Sequence, residues 1–132
     1  RMRGTLSPAN HNLITDERIS NVLRPLHAAD GHHSVLATSR AWSASRLEND
    51  ASLIDQPTLI IWGEDDTVIG IHNGYKLHES ILHSRFVILK TCGHVPAEEK
   101  SALVAELVTE FCRDRKGRLG PHTEEDLTVA NV

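Results

Sequence analysis

The chain has 132 residues, 39% of them hydrophobic and 24% charged, and 14 basic against 18 acidic side chains give a formal net charge of −4. This composition is typical of one soluble globular domain, and the absence of a basic stripe with interleaved aromatics argues against a nucleic-acid partner. No apolar run approaches the roughly 20 residues that a bilayer-spanning helix needs, which argues against a membrane partner. Two cysteines are too few for a disulfide framework, so we expect a reducing compartment, the cytoplasm.

The first predicted region, residues 1–50, is helical and polar. Thr15 can cap the start of a helix, and Pro25 predicts a kink or an early end. Gly31 separates this helix from a second candidate over about residues 33–42. The first helix is predicted from an apolar stripe with helical spacing, formed by Ile19, Val22, Leu23 and Leu26.

A strand, a helix and a second strand are predicted between residues 56 and 94. Pro57 precedes "TLIIW", a continuous apolar run of the kind that forms a strand covered on both faces. "RFVIL", residues 85–89, is the second strand candidate. Because the two strands are separated by a helix within about forty residues, we expect a parallel pair with a right-handed crossover. The intervening helix is predicted from the helical period of Ile71, Tyr75, His78 and Leu82.

The last predicted element is an amphipathic helix from about Ser101 to Phe111, with Pro96 just ahead of it. Residues 113–132 are charged, contain glycine and show no pattern, so we expect a poorly ordered tail. The helix has one apolar face, formed by Leu103, Val104, Leu107, Val108 and Phe111.

Acidic residues and a histidine follow the two predicted strands. "GEDD" comes after the first strand and "CGH" after the second, so Glu64, Asp65, Asp66 and His94 should emerge at one edge of the sheet. Neighbouring parallel strands lie about 5 Å apart, which lets a carboxylate on one loop meet an imidazole on the other. A carboxylate bonded to the Nδ1 hydrogen of a histidine orients the ring and leaves Nε2 free to act as a base.

The segments "QPTLIIWGEDD" and "RFVILKTCGHVPAEE", with the closing helix, resemble the C-terminal part of an α/β-hydrolase-fold enzyme. The family pattern W-G-x-x-D implies that Asp66 is the acid of a catalytic triad, and the G-H after the last strand implies that His94 is its histidine. The implied fold class is α/β, with a parallel βαβ unit, flanking helices and an incomplete sheet. In this comparison residues 1–50 resemble the end of a cap domain with the helix returning to the sheet, residues 51–112 the core, and residues 113–132 a tail.

The chain departs from the family pattern in two places. Gly70 stands where a proline commonly follows the acid, and no G-x-S-x-G nucleophile elbow or HGGG-like oxyanion loop occurs anywhere in the sequence. The resemblance therefore implies a hydrolase whose nucleophile, Ser or Asp, is missing from this chain. It implies no cofactor and no metal, and a small-molecule substrate that the sequence leaves unidentified. We expect the chain alone to be inactive.

Two other functions stay open. Asp65 and Asp66 after a strand are also compatible with a Mg²⁺-binding doubly wound domain, and the missing half is compatible with a non-catalytic interaction fragment derived from a hydrolase. His72, His78 and His83 are spaced around a helix and are interpreted as surface residues rather than metal ligands. Cys92 is interpreted as structural. Trp42 either lines a substrate pocket or packs against the sheet.

The predicted sheet has an unsatisfied edge. Two-stranded sheets are marginal in water, and an open strand edge is a template for pairing with another chain. We therefore expect this edge either to pair with the missing N-terminal half or to mediate self-association.

Overall fold

A computed structural model of the chain describes residues 8–28, 30–41, 50–113 and 127–130. Trp42 and most of the predicted tail lie outside these ranges. The strands are β1 Thr58–Gly63, β2 Ser84–Leu89 and β3 Leu127–Ala130. The helices with both ends described are α1 Asp16–Leu23, α2 Gly31–Ala41, α3 His72–Ser80, α4 Pro96–Glu99 and α5 Ser101–Arg113. Short 3-10 turns occupy Pro8–Leu13, Arg24–His27 and Ala51–Leu53.

The two N-terminal helices form near their predicted positions. The Thr15 side chain caps α1 by accepting a hydrogen bond from the Arg18 backbone N–H. The helix ends before Pro25, whose missing N–H cannot continue the ladder. Gly31 is the first residue of α2, so the prediction that it lies between the two helices is wrong. A Cβ at this position would lie 2.2 Å from the Pro25 carbonyl oxygen, so a residue with a side chain would not fit there without a shift of the backbone. Within the described ranges, none of the helices has the length and apolar character needed to span a bilayer.

The central sheet has the order β1-β2-β3. Strands β1 and β2 are parallel, with Thr58 opposite Ser84 and Gly63 opposite Leu89. Helix α3 lies between them in sequence, so the predicted βαβ unit is confirmed. Because paired parallel strands end together, the loops that follow Gly63 and Leu89 leave the sheet side by side.

Both faces of β1 and β2 are covered, as the continuous apolar runs predicted. On one face, α3 and the turn at Ala51–Leu53 pack against the strands, and the absence of a side chain at Gly74 lets α3 approach the Phe86 ring. On the other face, α5 inserts the fully buried Leu107. The first cluster contains the buried residues Ala51, Ile60, Ile81, Phe86 and Ile88. The second contains Val87, Leu89, Cys92 and Leu107.

Strand β3 corrects the prediction for the tail. Its four residues pair antiparallel with β2, with Leu127 opposite Leu89 and Ala130 opposite Phe86. A four-residue segment carries too little periodicity to be recognised as a strand, and its pairing satisfies the backbone groups along the outer edge of β2. The described strands therefore leave β1 at the edge of the sheet.

Candidate active site

The loop after β1 is organised by the Asp66 side chain. Asp66 Oδ1 accepts hydrogen bonds from the backbone N–H groups of Val68 and Ile69, each at 2.9 Å. This is the local turn chemistry that favours aspartate in loops. The indole Nε1 of Trp62 donates to the Ile69 carbonyl at 3.1 Å and ties the far end of the loop to β1. These bonds hold the second carboxylate oxygen, Oδ2, in one direction.

The loop after β2 lies against the end of β1. The Asp65 N–H donates to the Cys92 carbonyl oxygen at 2.8 Å. A Cβ on Gly63 would lie only 2.1 Å from the Gly93 carbonyl oxygen and 2.4 Å from that of Cys92. Only glycine at position 63 permits this approach, because any other side chain would push the two loops apart.

The two loops bring Asp66 and His94 together. His94 Nδ1 lies 2.9 Å from Asp66 Oδ2, and the two side chains are 33% and 5% exposed, respectively. An ionised carboxylate only accepts hydrogen bonds, so Nδ1 carries the hydrogen in this contact and Nε2 is left to take or give a proton. The contact and the parallel strands agree with the sequence analysis. The catalytic roles of the two residues remain a prediction.

The other two acids in the loop are placed differently. Glu64 is exposed and Asp65 is half-buried, and Asp66 is the member of "EDD" that contacts His94.

Glu99 also contacts the histidine loop, and sequence reasoning missed it. Its Oε1 accepts from the N–H groups of Gly93 at 2.9 Å and Val95 at 3.4 Å. The available signal was a glutamate in the first turn of a helix that starts with Pro96, where acidic side chains often reach back to free backbone N–H groups.

Cys92 is unsuited to act as a nucleophile. Its side chain is fully buried in the loop after β2. Burial, together with the nearby negative charge of Glu99, raises the pKa of the Cys92 thiol to about 12. The thiolate is the reactive form of cysteine, so this environment supports the structural interpretation of Cys92.

The histidines of α3 and the following turn are not gathered into one site. His72 and His83 are exposed, whereas His78 is half-buried, with Nδ1 2.7 Å from Ser84 Oγ, so the surface interpretation is wrong for His78. Across the parts of the chain that the structure describes, no three His, Cys, Asp or Glu side chains are grouped so that they could hold a metal ion.

Comparison with known proteins agrees with this architecture. A family model described as "alpha/beta hydrolase fold" matches residues 16–101. Among solved structures, MGS-M2, an alpha/beta hydrolase from a Medee basin deep-sea metagenome library, superposes with a TM-score of 0.72 at 24% identity. That superposition covers 87% of this chain and 43% of MGS-M2.

Two curated proteins with similar sequences are also named as a hydrolase and a lipase. The uncharacterized hydrolase YugF of Bacillus subtilis is 26% identical over 102 residues, which are 77% of this chain and 37% of YugF. Monoacylglycerol lipase ABHD6 of Rattus norvegicus is 35% identical over 65 residues, 49% of this chain and 19% of the lipase. The chain thus spans well under half the length of the proteins it matches. Because the family model matches residues 16–101, more than half of the chain, this chain belongs to the alpha/beta hydrolase fold family.

Proposed function

We propose that this chain supplies the acid and the base of a nucleophile–acid–histidine triad in a hydrolase. The observation that carries the proposal is the 2.9 Å contact between His94 Nδ1 and Asp66 Oδ2 on loops that leave two parallel strands side by side. The orientation of both groups supports the proposal. Backbone N–H groups donate to Oδ1 of Asp66, and the contact through Nδ1 leaves Nε2 of His94 free to take or give a proton.

The same pair serves either kind of nucleophile. With a serine, His94 would accept the hydroxyl proton through Nε2 as the oxygen attacks the substrate, and would then pass that proton to the leaving group. With an aspartate, His94 would remove a proton from the water that hydrolyses the covalent ester intermediate. In both cases the Asp66 carboxylate would stabilise the imidazolium that forms. These steps require no dissociable cofactor.

The nucleophile is proposed to come from upstream sequence. No G-x-S-x-G pattern occurs in the 132 residues, and the chain spans 37% of YugF and 43% of MGS-M2. Without a nucleophile and oxyanion donors, a base has no group to activate. We therefore expect the chain by itself to hydrolyse no ester.

The open edge of β1 is the proposed docking site for that upstream part. β1 pairs on one side with β2, and the strands described here leave its other side at the sheet edge. Its side chains are already covered on both faces by α3 and α5, so the unmet requirement is for backbone partners along this edge. An additional parallel strand would supply them. In its absence, the edge would pair with a second copy of the chain.

Size-exclusion chromatography with light scattering tests the docking proposal. The isolated chain should self-associate, and adding the upstream half as a separate polypeptide should convert the oligomer to a one-to-one complex. Replacing Ile61 in β1 by proline, which cannot donate to a strand ladder, should weaken both assemblies. An isolated chain that stays a folded monomer and forms no complex with the upstream half would contradict the proposal.

The substrate is proposed to be a small molecule with a hydrolysable bond. Monoacylglycerol esters are the first to test, because relatives with 32–35% identity are named as monoacylglycerol lipases. Short p-nitrophenyl esters and amides widen the panel, since this fold supports many hydrolytic reactions.

Substitutions in the whole protein test the catalytic assignment. His94→Ala should abolish most turnover, because the base is lost with either nucleophile. Asp66→Asn should lower kcat by roughly 10⁴-fold, as expected when the acid of a triad is neutralised. Asp65→Asn and Glu64→Gln, the matched controls on the same loop, should leave kcat nearly unchanged. A large loss in Asp65→Asn would show that a different acid is used, and unchanged activity in His94→Ala would favour a non-catalytic role for this part of the protein.

A cytoplasmic location is also part of the proposal. Cys92 and Cys112 are both free thiols, which is the form that a reducing compartment maintains. Fractionation of cells expressing the tagged whole protein tests this, and recovery with secreted or membrane material would contradict it.

A further inference from the structure

The backbone on both sides of His94 is bound by one carboxylate oxygen. Glu99 Oε1 accepts from the Gly93 N–H at 2.9 Å and from the Val95 N–H at 3.4 Å. These are the residues immediately before and after His94. The histidine loop belongs to neither a helix nor a strand at these positions, so its two N–H groups have no neighbouring ladder to join. Glu99 therefore holds the segment that aims the imidazole.

The other oxygen of Glu99 is bound from a distant part of the chain. Asn10 Nδ2 donates to Glu99 Oε2 at 2.9 Å, and the same nitrogen lies 3.3 Å from the Thr91 carbonyl oxygen. Asn10 lies in the 3-10 segment Pro8–Leu13, and 89 positions separate it from Glu99. The asparagine thus links this segment, the loop after β2 and the carboxylate. With both oxygens engaged, Glu99 is restricted in its rotamer.

Capping of α4 does not account for this arrangement. A glutamate that only capped the helix would bond the N–H of the N-cap residue, Val95, and that bond is the longer of the two. The shorter bond goes to Gly93, two residues before the helix cap and directly before the histidine. Charged acceptors form stronger hydrogen bonds with backbone N–H groups than neutral ones do, so the interaction suits a loop that must be held in one position.

We propose that Glu99 is a positioning residue for His94, and that Asn10 fixes the Glu99 side chain for that task. The proposal rests on the proposed function, because it concerns the base of the triad. Glu99 takes no part in proton transfer. It holds the Gly93–Val95 backbone so that the imidazole meets the Asp66 carboxylate and presents Nε2 to the reacting groups. A displacement of about 1 Å at such a site costs on the order of 100-fold in rate.

Kinetics of the whole protein provide the first test. Glu99→Ala should lower kcat by roughly 10- to 100-fold with little change in KM, because alignment of the base affects the chemical step more than substrate binding. Glu99→Gln keeps an acceptor oxygen for Gly93 but turns an amide N–H toward Asn10, so its loss of kcat should be smaller. Asn10→Ala should likewise lose less than Glu99→Ala. Glu98→Ala is the matched control, since Glu98 is the adjacent acid and pairs instead with Arg18.

Nitrogen NMR of labelled histidines provides a second readout that needs no turnover. In the unsubstituted protein, His94 should give a fixed Nδ1–H tautomer with a slowly exchanging Nδ1 proton, because that hydrogen is bonded to Asp66. Glu99→Ala should replace this signal with a tautomer average and fast exchange, and Glu98→Ala should leave it unchanged. The His94 signal is identified by its absence in His94→Ala.

The outcomes separate this proposal from the proposed function. Loss of the fixed tautomer in Glu99→Ala supports positioning even if the protein hydrolyses none of the substrates tested. An unchanged His94 signal and unchanged kcat, with only a lower unfolding temperature, would overturn it and leave Glu99 a purely stabilising residue. If Glu99→Ala does not fold, Glu99→Gln and Asn10→Ala decide: unchanged tautomer signals and kcat in both variants would overturn the proposal.

Discussion

Gly63→Ala should separate the two loops that carry Asp66 and His94. The added methyl carbon would lie 2.1 Å from the Gly93 carbonyl oxygen, and an ordinary contact begins at 3.4 Å, so the backbone must move by about 1.3 Å. Both obstacles, at Gly93 and at Cys92, are backbone atoms that no side-chain rotation can remove. If the movement falls along the Asp66–His94 contact, the 2.9 Å separation grows to about 4.2 Å, beyond hydrogen-bond range.

Two effects follow from that displacement in the whole protein. Misplacement of the base by about 1 Å should lower kcat by on the order of 100-fold. Crowding at a closely packed position should also lower the free energy of unfolding by about 1–3 kcal/mol. Initial rates with an ester substrate measure the first effect, and urea unfolding measures the second.

Two other glycines provide controls for these measurements. A methyl group on Gly70 would meet the exposed His72 ring at 2.8 Å, and that side chain can rotate away, so Gly70→Ala should affect kcat little. A methyl group on Gly74 would press on the buried Phe86 ring at 2.6 Å, so Gly74→Ala should lower the free energy of unfolding and serves as the comparison for crowding inside the core. A Gly63→Ala variant with normal kcat and normal stability would refute the inference that this glycine sets the distance between the loops.

Leu107→Ala should lower the free energy of unfolding by about 2–5 kcal/mol, because it opens a cavity under β2. Val108→Ala, on the exposed side of the same helix, should lower it far less, and similar urea midpoints for the two variants would contradict the packing of α5. In native protein at pH 8, iodoacetamide should alkylate the exposed Cys112 and spare the buried Cys92, which should react only in denaturant; mass spectrometry of the peptides distinguishes the two results. Folding raises the pKa of Cys92 from 9.0 to about 12, so the contribution of the neutral thiol to stability is complete below pH 9 and is lost as the pH rises towards 12. Urea midpoints should therefore fall less steeply between pH 9 and pH 12 in Cys92→Ala than in the unsubstituted protein.

The positions of the main elements were predictable because their signals are local. A β-branched and aliphatic run that is apolar on both sides, as in β1, is stable only between two layers, and the structure places α3 and α5 on its two faces. The Thr15 side chain caps the start of α1 by accepting from a backbone N–H, and Pro25, which has no N–H to donate, ends the helix; both effects act within one turn. Such signals depend on residues a few positions apart, which the sequence presents together.

The choice of Asp66 among three successive acids was predicted from the family pattern and not from the composition of "EDD". Physical reasoning from the sequence predicted that the three acids and His94 lie at one edge of the sheet, because paired parallel strands end together. The contact between Asp66 and His94 then depends on the direction in which the Asp66 side chain leaves the loop after β1, and on Gly63 allowing the neighbouring loop to approach.

By itself, therefore, the sequence determined the βαβ unit, its two covered faces and the edge at which the acids and the histidine meet. Only the tertiary structure decided that Asn10 bonds Glu99 from 89 positions away and that Leu127–Ala130 pairs with β2. The reason is that hydrogen-bond partners at such separations share no local period. Such partners can bond only after burial of the two apolar faces has brought the strand ends and the N-terminal segment together.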